Sequence, residues 1–262
     1  MTRRPGLPAA VALVVLLAAV TTVLLRWAAS RAAQPRCQAA EGSTSYLLDL
    51  EQAANATTVA AVGKRLGLPD HAVTIAVAAA LQESKLRNLS HGDLDSLGIF
   101  QQRPSQGWGT ASQVMVPRYA ATAFYTRLAT VPGWQSLGVA DAAQAVQHSA
   151  APDAYAGWEA EARLLARVFT GEVPAGLTCR FPRPGRASPS PALQTAAAQE
   201  LGSPALGVSL APARGWTVAA WLVGHARQYR ITSVAFSGQR WTPGQRTWQP
   251  DPRPASPVVQ VA

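Results

Sequence analysis

The chain has 262 residues, 48% hydrophobic and only 14% charged, which is enough length for one good core plus a smaller unit and a low charge content for a soluble protein. Its formal charge of +9 is unevenly spread: residues 1–36 hold five Arg and no acid, residues 37–179 nine Lys/Arg against twelve Asp/Glu, and residues 180–262 nine Arg against two acids. The middle is slightly acidic, which excludes a nucleic-acid footprint there, whereas the basic flanks suit an anionic lipid surface or an anionic polymer.

In chain order, Thr2-Arg3-Arg4 precedes an uncharged run of 19 residues, Leu7–Leu25. That is within the roughly 17–25 residues a helix needs to span a bilayer, and longer than the about 7–15 of a signal-peptide core. Residues 1–36 therefore read as a cytoplasmic tip, a single transmembrane anchor and a short stalk. Ala28-Ala29-Ser30 and Ala32-Ala33-Gln34 are weak cleavage-like sites that leave a secreted form as the alternative. The two cysteines, Cys37 and Cys179, bracket one segment. A disulfide between them fits an oxidising compartment, so the expected arrangement is a cell-membrane, single-pass protein with its N-terminus inside and its body outside.

Leu47–Arg65 has apolar residues at helical spacing (Leu47, Leu50, Ala54, Thr58, Ala61, Val62), and Gly67-Leu68-Pro69 ends it. Asp70 is placed to cap the next helix, His71–Glu83, which is apolar nearly all round and so belongs in the centre of the fold. Asn88–Gln106 reads as loop with an apolar knot at Leu97–Phe100. Helices follow over Pro117–Ala129, Asp141–His148 and Tyr155–Thr170. Residues 180–214 are Pro- and Ala-rich and read as a linker with one short helix at Leu193–Leu201. Residues 215–250 read as a small α/β module with an amphipathic helix, Thr217–Tyr229, a strand, Ile231–Phe236, and a hairpin partner, Arg240–Trp248. Residues 251–262 read as a disordered tail.

The chemistry concentrates at Gln82-Glu83-Ser84 and, beyond a polar loop, Gly98-Ile99-Phe100-Gln101. A carboxyl at the end of a buried helix keeps its proton for two reasons: desolvation and the negative end of the helix dipole. An acid that stays protonated is what glycosidic cleavage requires, since the leaving oxygen must take a proton as its bond breaks. Gln101, Gln102, Trp108 and Tyr155 supply the amide and aromatic groups a sugar cleft uses. Asp93 and Asp95 lie between Glu83 and Gly98, and either cap turns, serve as a second carboxylate or bind a cation. His71, His91, His148 and His225 lack metal-ligand spacing, so neither a metal nor a cofactor is expected.

Glu83-Ser84 followed by Gly98-Ile99-Phe100-Gln101 resembles the Glu-Ser and Gly-Leu-Met-Gln signatures of the soluble lytic transglycosylase and goose-type lysozyme group. Pro117 with Ala121, Phe124-Tyr125 and Leu128 is similar to the Asn-Ile-x-x-Gly-x-x-Tyr-Leu helix of that group. Ala145-Val146-Gln147-His148-Ser149 stands at the place of its Ala-Tyr-Asn-Ala-Gly, with Val146-Gln147 in place of Tyr-Asn. Arg103–Gly109 further resembles a membrane-anchored actinobacterial group carrying this domain. The resemblance spans roughly residues 45–170. It implies a lysozyme-like domain over residues 37–179 and a mostly α fold class, with one transmembrane helix before that domain and the small C-terminal module after it. It also implies cleavage of peptidoglycan glycan strands by lytic transglycosylation, with Glu83 as general acid/base and Ser84, Asp95, Gly98, Gln101, Gln102, Trp108, Gln147 and Tyr155 on the substrate side. Two alternatives stay open. One is a hydrolytic muramidase with Asp95 as second carboxylate. The other is a non-catalytic wall-binding scaffold whose basic C-terminal module recruits a protein or an anionic wall polymer.

Overall fold

The computed structural model describes residues 9–32, 34–148, 152–185 and 190–262. Met1–Pro35 and Arg36–Ala262 are two compact units. In the first, Ala9–Ala32 forms helix α1. The expected transmembrane helix is not supported: among the described residues, no helix is long and apolar enough to cross a membrane. The side chains described within α1 run from Leu13 to Leu24. The stretch includes Thr21 and Thr22, whose hydroxyls bond back to the carbonyls of Leu17 and Ala18. The expected cytoplasmic tip, ahead of Leu7, lies outside the described residues.

The second unit opens on a hairpin, β1 (Arg36–Glu41) and β2 (Thr44–Leu48), turned at Gly42 with φ +56°. Strand β3 (Leu177–Arg180) pairs antiparallel with the other side of β1. Cys37 faces Cys179 in this register, and the two form the disulfide. A ladder and a covalent bond therefore hold together two positions 142 residues apart in sequence.

Helix α2 (Leu50–Arg65) starts three residues later than the spacing predicts, because Leu47 and Leu48 belong to β2. Its start is fixed by a capping box. The Asp49 carboxylate accepts from the Gln52 amide nitrogen, and the Gln52 side chain accepts from that of Asp49, both at 2.8 Å. Helix α3 (Asp70–Ser84) begins after Pro69, so Asp70 sits inside the first turn and pairs with Lys64 at 2.6 Å instead of capping.

Every residue of α3 from Ala72 to Leu81 is buried. Such a helix has no polar face to turn outward, and α2, α5 (Pro117–Leu128), α6 (Val139–Gln147) and α7 (Glu159–Phe169) cover it. The short helix α4 (Ala111–Val114) leads into α5. Close approach depends on small residues: a Cβ on Gly63 of α2 would lie 2.9 Å from the Tyr125 hydroxyl and 3.0 Å from Val73.

The C-terminal third is not a detached module. Helices α8 (Pro191–Leu201) and α9 (Pro212–Gly224) both pack on α2, and a second antiparallel sheet runs in the order β6 (Gln249–Pro250), β5 (Gln239–Trp241), β4 (Val234–Phe236), β7 (Gln260–Val261). Helix α9 is buried on all sides from Gly215 to Gly224, where an amphipathic helix was expected. Thr217 donates to the Thr170 carbonyl at 2.7 Å, and the Trp248 indole donates to that of Leu177 at 2.8 Å. The final residues are ordered rather than disordered, because Val259 is buried and β7 extends the sheet along β4. The fold is thus about half helical with two small antiparallel sheets, in place of the mostly α class expected.

Replacing Cys37 and Cys179 by serine should lower stability by about 2–5 kcal/mol, read as a shift of the urea midpoint under oxidising conditions. Under reducing conditions the parent should fall to the level of the double variant.

Candidate functional site

Glu83 is the next-to-last residue of α3, at the point where the cover of the helix runs out, and it is half-buried. The helix stops by entering left-handed backbone at Lys85 and Leu86, with φ 56° and 62°. Amides 85 and 86 turn back onto the carbonyls of Leu81 and Ala80.

The loop that follows is stitched to the helix end by Ser84, whose hydroxyl donates to the Ile99 carbonyl at 2.7 Å. Leu97 and Gln102 exchange backbone hydrogen bonds at 2.9 and 3.0 Å around a tight turn. Ile99 and Phe100 drop into the core there, and Phe100 stacks on Phe124 with ring centroids 4.7 Å apart. Gly98 is required: its φ is +79° and an added Cβ would lie 2.5 Å from the Val114 carbonyl oxygen.

Two groups reach the Glu83 carboxylate from the far side. The wholly buried Tyr155, in the 3-10 segment Pro152–Trp158, donates from Oη to Glu83 Oε1 at 2.6 Å. Gln147, the last residue of α6, donates to the Phe100 carbonyl at 2.8 Å and stands near enough to the same carboxylate to favour its charged form. Burial raises the Glu83 pKa above that of an ordinary glutamate, against the opposing pull of the Tyr155 hydrogen bond, the nearby Gln147 amide and the Lys85 charge. The arrangement provides one carboxyl group, held in place by the Tyr155 hydroxyl, that is more readily protonated than a surface glutamate.

The other positions singled out in the sequence divide. Gln101 is half-buried in left-handed backbone, and its amide donates to the Gly98 carbonyl at 3.1 Å within its own loop. Gln102 is buried and donates to the Ala120 carbonyl at 3.0 Å, a bond that fixes the loop on α5. Trp108 is buried with the Arg127 guanidinium 3.5 Å above its ring, so that face is closed to a stacking sugar. Trp108 does line a shallow surface pocket of about 320 Å³ with Tyr119, Thr122 and Arg127, but Glu83 is not part of its wall. Asp95 accepts from Arg103 Nε at 2.8 Å and from the Ser105 amide and hydroxyl at 2.8 and 3.0 Å. These donors, Arg103 first, hold its carboxyl down at about 2.

The spacing of motifs did not reveal Trp158 or Lys85. The Trp158 indole donates to Gln82 Oε1 at 2.8 Å, and Lys85 Nζ lies 4.0 Å from the centre of the Trp158 ring. Glu161 stands close enough for Lys85 to act on its charge, and burial raises its pKa. The one signal available was Tyr155-x-x-Trp158, two aromatics a turn apart next to the segment already flagged.

Among the described residues, no three His, Cys, Asp or Glu side chains are grouped to hold a metal ion. No family model and no curated protein matches the chain.

Ser84→Ala should cost about 1–3 kcal/mol, because the Ile99 carbonyl loses its donor inside the core. Thermal unfolding measures the cost. Ser84→Thr, which keeps the hydroxyl, should lose less.

Proposed function

We propose that this protein cleaves peptidoglycan glycan strands as a lytic transglycosylase, with Glu83 as general acid and then base. The observation that carries the reading is the carboxyl at the end of the buried helix α3, made protonatable by burial and oriented by Tyr155 at 2.6 Å. Support also comes from the resemblance of Glu83-Ser84, Gly98–Gln101 and residues 117–128 and 145–149 to the lytic transglycosylase and goose-type lysozyme group. That resemblance lacks a tyrosine at 146, and here a phenol hydroxyl reaches the acid from Tyr155 instead. Gln147 takes up the place of the family's asparagine with a carboxamide of the same chemistry, one methylene longer.

In this reading Glu83 protonates the glycosidic oxygen between the wall's amino sugars. The carboxylate so formed then takes the proton from the sugar's own hydroxyl as that oxygen closes on the anomeric carbon, giving an anhydro end. No second carboxylate is needed. The alternative with Asp95 as base is disfavoured, since a carboxylate saturated by three donors and held at about 2 is a weak proton acceptor. The Cys37–Cys179 disulfide supports a body that works in an oxidising compartment, where the wall lies.

Glu83→Gln should fold normally and release soluble fragments from purified sacculi about 10²–10⁴-fold more slowly than the parent. Mass analysis of the parent's products should find anhydro ends. Reducing ends would support the hydrolytic alternative, and retention of glycan without any release would overturn the reading.

The acid works protonated, so the rate should fall as pH rises through the Glu83 pKa, at a pH above that of an ordinary glutamate. In Tyr155→Phe the carboxylate loses a donor that favours its charged form. Its pKa then moves further up, and the falling limb of the pH–rate profile should shift to higher pH while the maximal rate drops.

A further inference from the structure

On β1 and β3, Arg36 stands directly opposite Arg180 in the antiparallel register, one step from the disulfide pair. Like charges at directly opposed positions destabilise a sheet. A third guanidinium joins them: Arg246, in the turn between β5 and β6, has its backbone pinned by the Thr178 hydroxyl, which donates to the Arg246 carbonyl at 3.2 Å. The three arginines line one concave pocket of about 240 Å³, together with Gln38, Thr178 and Leu47. No carboxylate among the described residues pairs with Arg180 or Arg246. Partial burial makes the charged form of Arg180 less favourable, and the charges of Arg36 and Arg246 add to that effect. The fold therefore gathers three positive charges on a rigid, cross-linked piece of sheet.

We propose that Arg36, Arg180 and Arg246 form a binding site for a phosphoryl group, with the guanidinium forks converging on its oxygens and Gln38 and Thr178 supplying neutral polar groups at the rim. Guanidinium forks match the tetrahedral oxygens of a phosphate in a way that point charges do not, and a pocket wall made of paired strands holds them in place. Leu47, 61% exposed at the same pocket, is an apolar neighbour for whatever carries the phosphate. The shared chemistry has two sources, a phosphate-bearing polymer in solution or a phospholipid headgroup. The site is separate from Glu83 and does not depend on the glycan-cleaving reading.

The test uses the full chain in two arms. One titrates inorganic pyrophosphate calorimetrically at low salt. The other measures sedimentation with phosphatidylcholine vesicles containing one-fifth phosphatidylglycerol. In at least one arm, Arg180→Gln/Arg246→Gln should bind about tenfold or more weakly than the parent, and Arg180→Lys/Arg246→Lys should fall between the two. Loss in the pyrophosphate arm identifies a soluble phosphate source, and loss in the vesicle arm alone a lipid headgroup. Circular dichroism of each variant, with its disulfide intact, ensures that a loss is read on folded protein. If a pair variant does not fold, Arg246→Gln alone is the deciding variant. The proposal is overturned if neither probe binds, if the Gln pair binds as well as the parent, or if the Lys pair does, since that would reduce the site to diffuse charge.

Discussion

The rest of the second unit depends on covering helix α3 on all sides. From Ala72 to Leu81 it presents no residue to solvent, and its Ala-rich surface leaves little side-chain volume between it and its neighbours. Burying such a helix favours a ring of partners at short range, and α2, α5, α6 and α7 supply it. Glycine at 63 permits the tight approach of α2 to Tyr125 and Val73. The same geometry determines where chemistry is possible. A helix that is apolar all round can carry a titratable group only where its cover ends, and Glu83 stands at that place.

Two carboxylates in this small region show what environment does to one functional group. Asp95 has three donors in a turn, Arg103 among them, and is locked in its charged form. Glu83 has the Tyr155 phenol as its donor but is largely withdrawn from water, and burial outweighs that bond. The first is a clasp that fixes the loop from Asp95 to Ser105, and the second is a group able to exchange its proton. Lys85 and Trp158 sit beside the second, with the ammonium laid over the indole and the indole tied to Gln82, so the edge of the site is as firmly built as its centre.

Periodicity made α3 and the short helix at 191–201 legible, and the bracketing cysteines made the disulfide so. Local signals failed where tertiary contacts decide the outcome. Leu47 and Leu48 fit a helical pattern, yet pairing with β1 draws them into a strand. The proline-rich stretches at 180–214 and 251–262 look like linkers by composition, but α8 and Val259 find apolar partners far along the chain. At the site, residue type pointed to Glu83, Gln147 and Tyr155, which do converge. It equally pointed to Gln102 and Trp108, whose side chains are occupied by Ala120 and Arg127. Nothing local distinguishes an amide that faces a cleft from one that ties a loop to a helix.

The packing of α9 on α2 has a consequence for modularity. Thr57 and Ala53 of α2 lie against Gly224 so closely that a methyl group there would collide with them, and Thr58 donates to Glu200 of α8 at 2.7 Å. The C-terminal segment is thus one wall of the domain whose covalent loop ends at Cys179. A recombination event that grafted residues 37–179 onto another protein would leave α2 with a bare apolar flank. This segment and the domain it covers are expected to be inherited together, as one piece.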